Sequence, residues 1–178
     1  MTARFTLPQR TLHWLMAAMI LAMLFIGAGM VTTVAPRYTL LVSIHKPLGI
    51  AILLLVLLRA ALRLRHGAPS LPADLPWPMR AAAHASHLLL YALMLAMPLI
   101  GWSMLSAGGY PIALAPWLHL PPLLPPDPTL YTILRTAHRW LAYLFFATIL
   151  AHLAAALFHA LVRRDGVFAS MATGAMKS

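Results

Sequence analysis

Apolar residues gather into four long runs along this chain, and the short segments between them hold nearly all of the charge. A helix needs about 20 mostly apolar residues to cross roughly 30 Å of hydrocarbon. Residues 11–34, 39–62, 83–107 and 131–161 meet that requirement. The second run holds Lys46 near its start and Arg59 near its end, so both must snorkel or find partners. Between the third and fourth runs, Pro111, Pro116, Pro121, Pro122, Pro125, Pro126 and Pro128 punctuate an apolar segment. Proline at that density cannot continue a helix. The pattern predicts a structured loop at the membrane surface, where Trp117 suits the interface. The expected fold is all-α, an integral-membrane four-helix bundle with residues 1–178 as a single domain, without linker or sequence repeat.

Charge adds an orientation. Thirteen Lys and Arg stand against three acidic residues, Asp74, Asp127 and Asp165, for a net charge of +10. The cations sit at the edges of apolar runs rather than on one soluble face, which points to membrane lipid and away from nucleic acid. Arg4, Arg10, Arg59, Arg63, Arg65, Arg80, Arg163, Arg164 and Lys177 fall on one side, and Arg37, Lys46, Arg135 and Arg139 on the other. The richer side is expected to be cytoplasmic, with both termini there. The first apolar run is too long for the core of a cleavable signal peptide.

Composition then narrows the chemistry. Three acids are too few for paired-carboxylate glycosidase chemistry or for carboxylate cages around calcium or di-iron. With no cysteine, disulfides, iron–sulfur clusters, thiolate zinc sites and c-type haem attachment are excluded. Nine histidines remain, and a metal-binding side chain inside a span is a functional candidate by its position alone.

Their spacing is informative. His138 and His152 lie fourteen residues apart on the fourth run, about 21 Å along a helix and only about 40° around it. One helix face therefore presents imidazoles at two depths. By depth, His45 can meet His138 and His13 can meet His152. Two such pairs across a bundle interior are what two bis-histidine b-type haems require, each iron taking two neutral nitrogens along one axis. Pairs about 21 Å apart cannot share one zinc or copper ion. A single buried histidine would be read as polar glue between helices; two depth-matched pairs are not.

Gly49 lies one turn after His45 and Gly27 fourteen residues after His13, each at a place where a porphyrin could approach the backbone. Arg59 falls at the depth of the inner pair, either as a partner for haem propionates or snorkelling to lipid headgroups. His159, seven residues after His152, is placed beside the inner level, where it could hydrogen-bond a quinone head and carry protons. His84 and His87 open the third run at that same level, and His87 is a second candidate contact for quinone or propionate. His66 and His119 fall in loops.

Several segments carry a resemblance: RTLHWLM at 10–16, HKPLG at 45–49, ASHLLLYALM at 85–94, GWSMLSAGGYP at 101–111, AHLAAALFH at 151–159 and RRDG at 163–166. In these the chain resembles the bacterial cytochrome b561 family of small di-haem membrane proteins. The resemblance implies that His13 and His152 ligate one haem b, that His45 and His138 ligate the other, and that a quinone binds near the inner haem. It further implies an inner-membrane oxidoreductase that takes electrons from periplasmic superoxide and passes them to ubiquinone, with no obligate protein partner evident. The cations Arg37, Lys46, Arg135 and Arg139, facing only Asp127, suit an anionic substrate on the outer side. The alternative is an electron-relay subunit that oxidises quinol for a separate dehydrogenase or hydrogenase.

Overall fold

The computed structural model describes residues 5–34, 36–115 and 117–174. Arg4, Pro116 and Lys177, named above, lie outside the described residues. Four long helices form: α1 (Leu7–Thr32), α2 (Pro36–His66), α3 (Trp77–Ala107) and α4 (Pro128–Leu157). Each is long and apolar enough to cross a membrane, α4 together with the turn that extends it to Arg163. The molecule is thus mostly helical, with four candidate spans.

Local chemistry starts the helices earlier than hydropathy alone suggests. Thr6 and Gln9 form a reciprocal capping box at α1, each side chain bonding the other's backbone N–H. At α4 the Asp127 Oδ1 accepts from the amides of Thr129 and Leu130 at 2.8 and 3.0 Å. Pro128 takes the first helical position, where its missing N–H is no loss.

The helical expectation holds for most of the chain, and the proline-rich segment adds two short strands to it. Ile112–Ala115 (β1) and Leu118–Leu120 (β2) pair antiparallel, with Ile112 opposite Leu120 and Ala113 opposite His119. Helix is forbidden here by proline, but the short apolar stretches between prolines keep their backbone donors and pair with each other. The hairpin is tied down at several points. Trp102 Nε1 donates to the Pro121 carbonyl at 3.0 Å, the Leu123 amide to Ser106 Oγ at 3.0 Å, and Lys46 Nζ to the Pro111 carbonyl at 3.2 Å.

A second departure closes α4. The α-helix gives way at Phe158–Arg163 to a π-helical turn. Arg164 (φ +51°) and Gly166 (φ +82°) then reverse the chain into a short helix, α5 (Val167–Ala172). Arg10 fastens α5 to α1 by donating to the carbonyls of Met171 and Ala172, and Trp14 Nε1 also reaches Met171. The start of α1 and the short helix α5 therefore share one end of the bundle, and the hairpin occupies the other. Between them Leu12, Met16, Ile20, Ile52, Leu53, Val56, Leu93, Met94 and Phe145 form a continuous buried cluster.

Candidate functional site

The two-level pattern of α4 is present in three dimensions. At the hairpin end His45 of α2 stands opposite His138, with ring centres 6.3 Å apart and planes at 66°. Toward the termini His13 of α1 stands opposite His152, with centres 6.4 Å apart and planes at 71°. The helices that carry the paired rings are not close neighbours. Helix α1 packs along α2, and α3 packs along α4 and more lightly on α2, whereas neither α1 nor α2 lies closely along α4. The paired histidines thus bridge the helices that stand apart.

Those separations have a chemical meaning. Two imidazole nitrogens each about 2.0 Å from one metal, with about 1.15 Å from nitrogen to ring centre, put the ring centres about 6.3 Å apart. The ring centres of the two pairs, 6.4 and 6.3 Å apart, stand at about that separation. Among the described residues, no group of three or more His, Cys, Asp or Glu converges to hold a bare ion. At the hairpin level the donors come as one pair, and at the other level a third imidazole, His87, stands beside the pair; a pair of imidazoles suits a metal that arrives within its own prosthetic group. At the hairpin level Nδ1 of His45 and Nδ1 of His138 are buried without a hydrogen bond of ordinary geometry. Buried polar atoms without such a bond are uncommon and call for a physical reason.

One glycine borders these rings, and the two expected from the sequence stand in open surroundings. A Cβ on Gly27 would meet nothing within 4 Å, and one on Gly49 only the Met23 methyl at 3.7 Å. Gly101 of α3 was not singled out as a site residue from sequence, yet it stands closest to the machinery. A Cβ there would come within 3.4 Å of His138 Cε1 and 3.7 Å of its Nδ1. Its motif was visible as GWSMLSAGG, but only packing shows which face the glycine turns to His138.

The level near the termini is more crowded. The His87 ring lies 5.5 Å from that of His152, so a third imidazole joins the pair. Arg59 acts electrostatically on His13, His87 and His152 alike, and its Nη1 donates to the Gln9 carbonyl at 3.3 Å. Arg63, one helical turn on, stands over the Tyr91 ring at 6.0 Å. Gln9, Arg59, Arg63 and Tyr91 line a cleft between α1, α2 and α3. Arg59 and Arg63 together concentrate positive charge in this cleft.

His159 lies in the π-helical turn, part-buried, and its partner was not foreseen. Its Nδ1 is 2.7 Å from Asp165 Oδ2, which also accepts from Arg163 Nε at 2.9 Å. Arg163 Nη2 continues to Asp74 Oδ2 at 2.6 Å. Burial by itself would raise the Asp165 carboxyl, but hydrogen bonds from Arg163, His159 and the Val167 amide together hold it below the usual carboxylate range. Two of the chain's three acids thus meet in one cluster, across a sequence separation that no local pattern reveals.

The remaining expectations fall out simply. Arg37, Arg135 and Arg139 are exposed at the hairpin end, Arg139 over the Trp140 ring at 5.8 Å. His66, His84 and His119 are exposed, but His66 ends α2 and His119 lies in β2, so neither falls in a loop as the sequence suggested.

Comparison with known proteins follows the same lines. Residues 4–174 match the family described as prokaryotic cytochrome b561. The chain is 28% identical over 172 residues to Cytochrome b561 homolog 1 of Escherichia coli (strain K12), covering 94% of this chain and 96% of that protein. It is 29% identical over 171 residues to Cytochrome b561 homolog 2 of the same organism, covering 94% and 90%. It is also 29% identical over 178 residues to a Yersinia pestis protein named Probable superoxide oxidase CybB, covering 96% and 97%.

Proposed function

The chain belongs to the prokaryotic cytochrome b561 family, and on that premise we propose that it is a superoxide:ubiquinone oxidoreductase with two b-type haems. Membership itself makes it a multi-pass membrane protein of electron transfer and implies b-type haem. The finer reading places it in a bacterial inner membrane as one domain, with the hairpin periplasmic and both termini cytoplasmic.

The observation that carries it is the matched separation of 6.3 and 6.4 Å in the two imidazole pairs. His45 and His138 would hold the outer haem, and His13 and His152 the inner one. Haem, when bound, supplies one-electron storage with little rearrangement, which joins a one-electron donor to a two-electron acceptor. The remaining work belongs to the chain's own residues. Gly27, Gly49 and Gly101 keep side chains out of the macrocycle's way. Arg59 and Arg63 offer charge to propionates that the three acids of this chain would repel. Arg37, Lys46, Arg135 and Arg139 draw a small anion to the outer face. His87 and His159 would meet the quinone head at the inner level. The sum balances: two superoxide ions, one quinone and two protons give two oxygen molecules and one quinol. The choice of superoxide is supported by that cationic rim and by the printed name of the Yersinia relative.

The test uses purified, haem-loaded protein in detergent. A superoxide generator should produce a reduced b-type spectrum without quinone, and quinol formation with it. A spectrum that superoxide leaves oxidised, while quinol reduces it, would replace this reading with that of a quinol-oxidising relay.

A further inference from the structure

We propose that Asp165 is a positioning residue for proton delivery, holding His159 in the tautomer whose Nε2 exchanges protons with the reduced quinone. The inference rests on the quinone reading above and adds a specific part to it.

Geometry carries the argument. Asp165 Oδ2 receives Arg163 Nε at 2.9 Å while Oδ1 receives the Val167 amide at 3.2 Å. A carboxylate in that position acts as an acceptor. His159 Nδ1, 2.7 Å away, must therefore carry its hydrogen toward Asp165, as a neighbouring hydrogen bond ordinarily selects the imidazole tautomer. With Nδ1 committed, a proton can be gained and lost only at Nε2. The anionic state of Asp165 is secured by Arg163 and by the pull of its other donors.

Backbone structure makes the contact. On a continuous α-helix, positions six apart lie about 120° from each other around the axis and do not meet. Here the π-helical turn at Phe158–Arg163 and the left-handed residues Arg164 and Gly166 fold Asp165 back under His159. Interruptions of this type cost helix stability and occur often at functional sites. The exposures form a gradient as well: the side chains of His159 and Asp165 are 13% and 12% exposed, against 75% for Asp74. Charged groups facing the histidine are Asp165 and Arg163 from its own chain end, with Asp74 reaching Arg163 from the α2–α3 connection.

The experiment compares wild type, Asp165→Asn, Asp165→Glu and Asp74→Asn as haem-loaded protein. An amide can donate from its nitrogen to His159 Nδ1 and so favour the opposite tautomer. Asp165→Asn should lower quinone turnover at least tenfold with KM little changed and a larger solvent deuterium isotope effect, while superoxide-driven haem reduction without quinone stays at the wild-type rate. Asp165→Glu should recover part of the loss, and Asp74→Asn, which leaves the His159 bond in place, should stay within about twofold. Nitrogen-15 spectra of histidine-labelled protein, assigned with His159→Gln, should show hydrogen on Nδ1 in wild type and on Nε2 in Asp165→Asn. Unchanged turnover, an unchanged tautomer, or an equal loss in Asp74→Asn would overturn the positioning role while the quinone reading stands. A wild-type protein that reduces no quinone would overturn both.

Discussion

Enlarging Gly101 is the sharpest perturbation that the packing offers. A Cβ at this position would lie 3.4 Å from His138 Cε1, at the inner edge of comfortable carbon contact, roughly 3.5–4.0 Å. Gly101→Ala therefore asks the ring to move by a few tenths of an ångström at most. Gly101→Leu adds a branched group whose first carbon lies about 1.5 Å beyond Cβ, in space the ring occupies. Overpacking of this kind costs typically about 1–3 kcal/mol, or about 5- to 150-fold in the equilibrium for seating the ring. The His13–His152 level is carried by other residues and should not respond. On the proposed two-haem reading, haem content should remain near two per chain in Gly101→Ala and fall toward one in Gly101→Leu, with one component weakened in the reduced spectrum. Haem extraction and protein quantification measure this directly. A leucine variant with two haems and an unaltered spectrum would show that Gly101 does not confine His138 and that the fit deduced at this level is mistaken.

Other perturbations separate neighbouring roles. His13→Ala should abolish the inner haem's spectral component, whereas His87→Ala should retain it despite the 5.5 Å approach of His87 to His152; loss in both would make His87 part of the ligation. The Asp165 carboxyl sits below its usual range in the fold, so its stabilisation is complete above the unfolded value, about 3.9, and disappears as pH falls through the folded value. Melting curves should place Asp165→Asn below wild type by a constant margin above about pH 5, with the gap closing below about pH 4; a gap that widened in acid would contradict the cluster. Superoxide-driven quinone reduction should slow as salt rises and in Arg135→Glu with Arg139→Glu, since steering by a charged rim is worth about 10–10³ at low ionic strength. A rate indifferent to both would remove the steering argument.

Much of this molecule was legible before any coordinates. Runs of about 20 apolar residues have one hydrogen-bonded solution in lipid, and the four helices follow from that. The interval between His138 and His152 carries its own geometry, because a regular helix converts a count of residues into a depth and an angle. Pro111 to Pro128 excluded helix, but exclusion does not choose among the alternatives. The β1–β2 pairing depends on which short stretches find each other and on anchors from Trp102, Ser106 and Lys46.

Elsewhere the regular helix was the wrong ruler. The π-helical turn breaks the count after Phe158, so the partner of His159 could not be reached by spacing. Asp165 arrives by chain reversal, and Asp74 arrives from a segment 89 residues away from its partner Arg163. Gly101 belongs to the same class, since its importance lies in the 3.4 Å to a ring on another helix. Sequence alone determined the number of candidate spans and the two depths of imidazole, because these are properties of single regular helices. Tertiary structure alone decided which rings face one another at 6.3 and 6.4 Å, which glycine borders them and what holds His159. Those are distances between separate elements, set by how the helices pack.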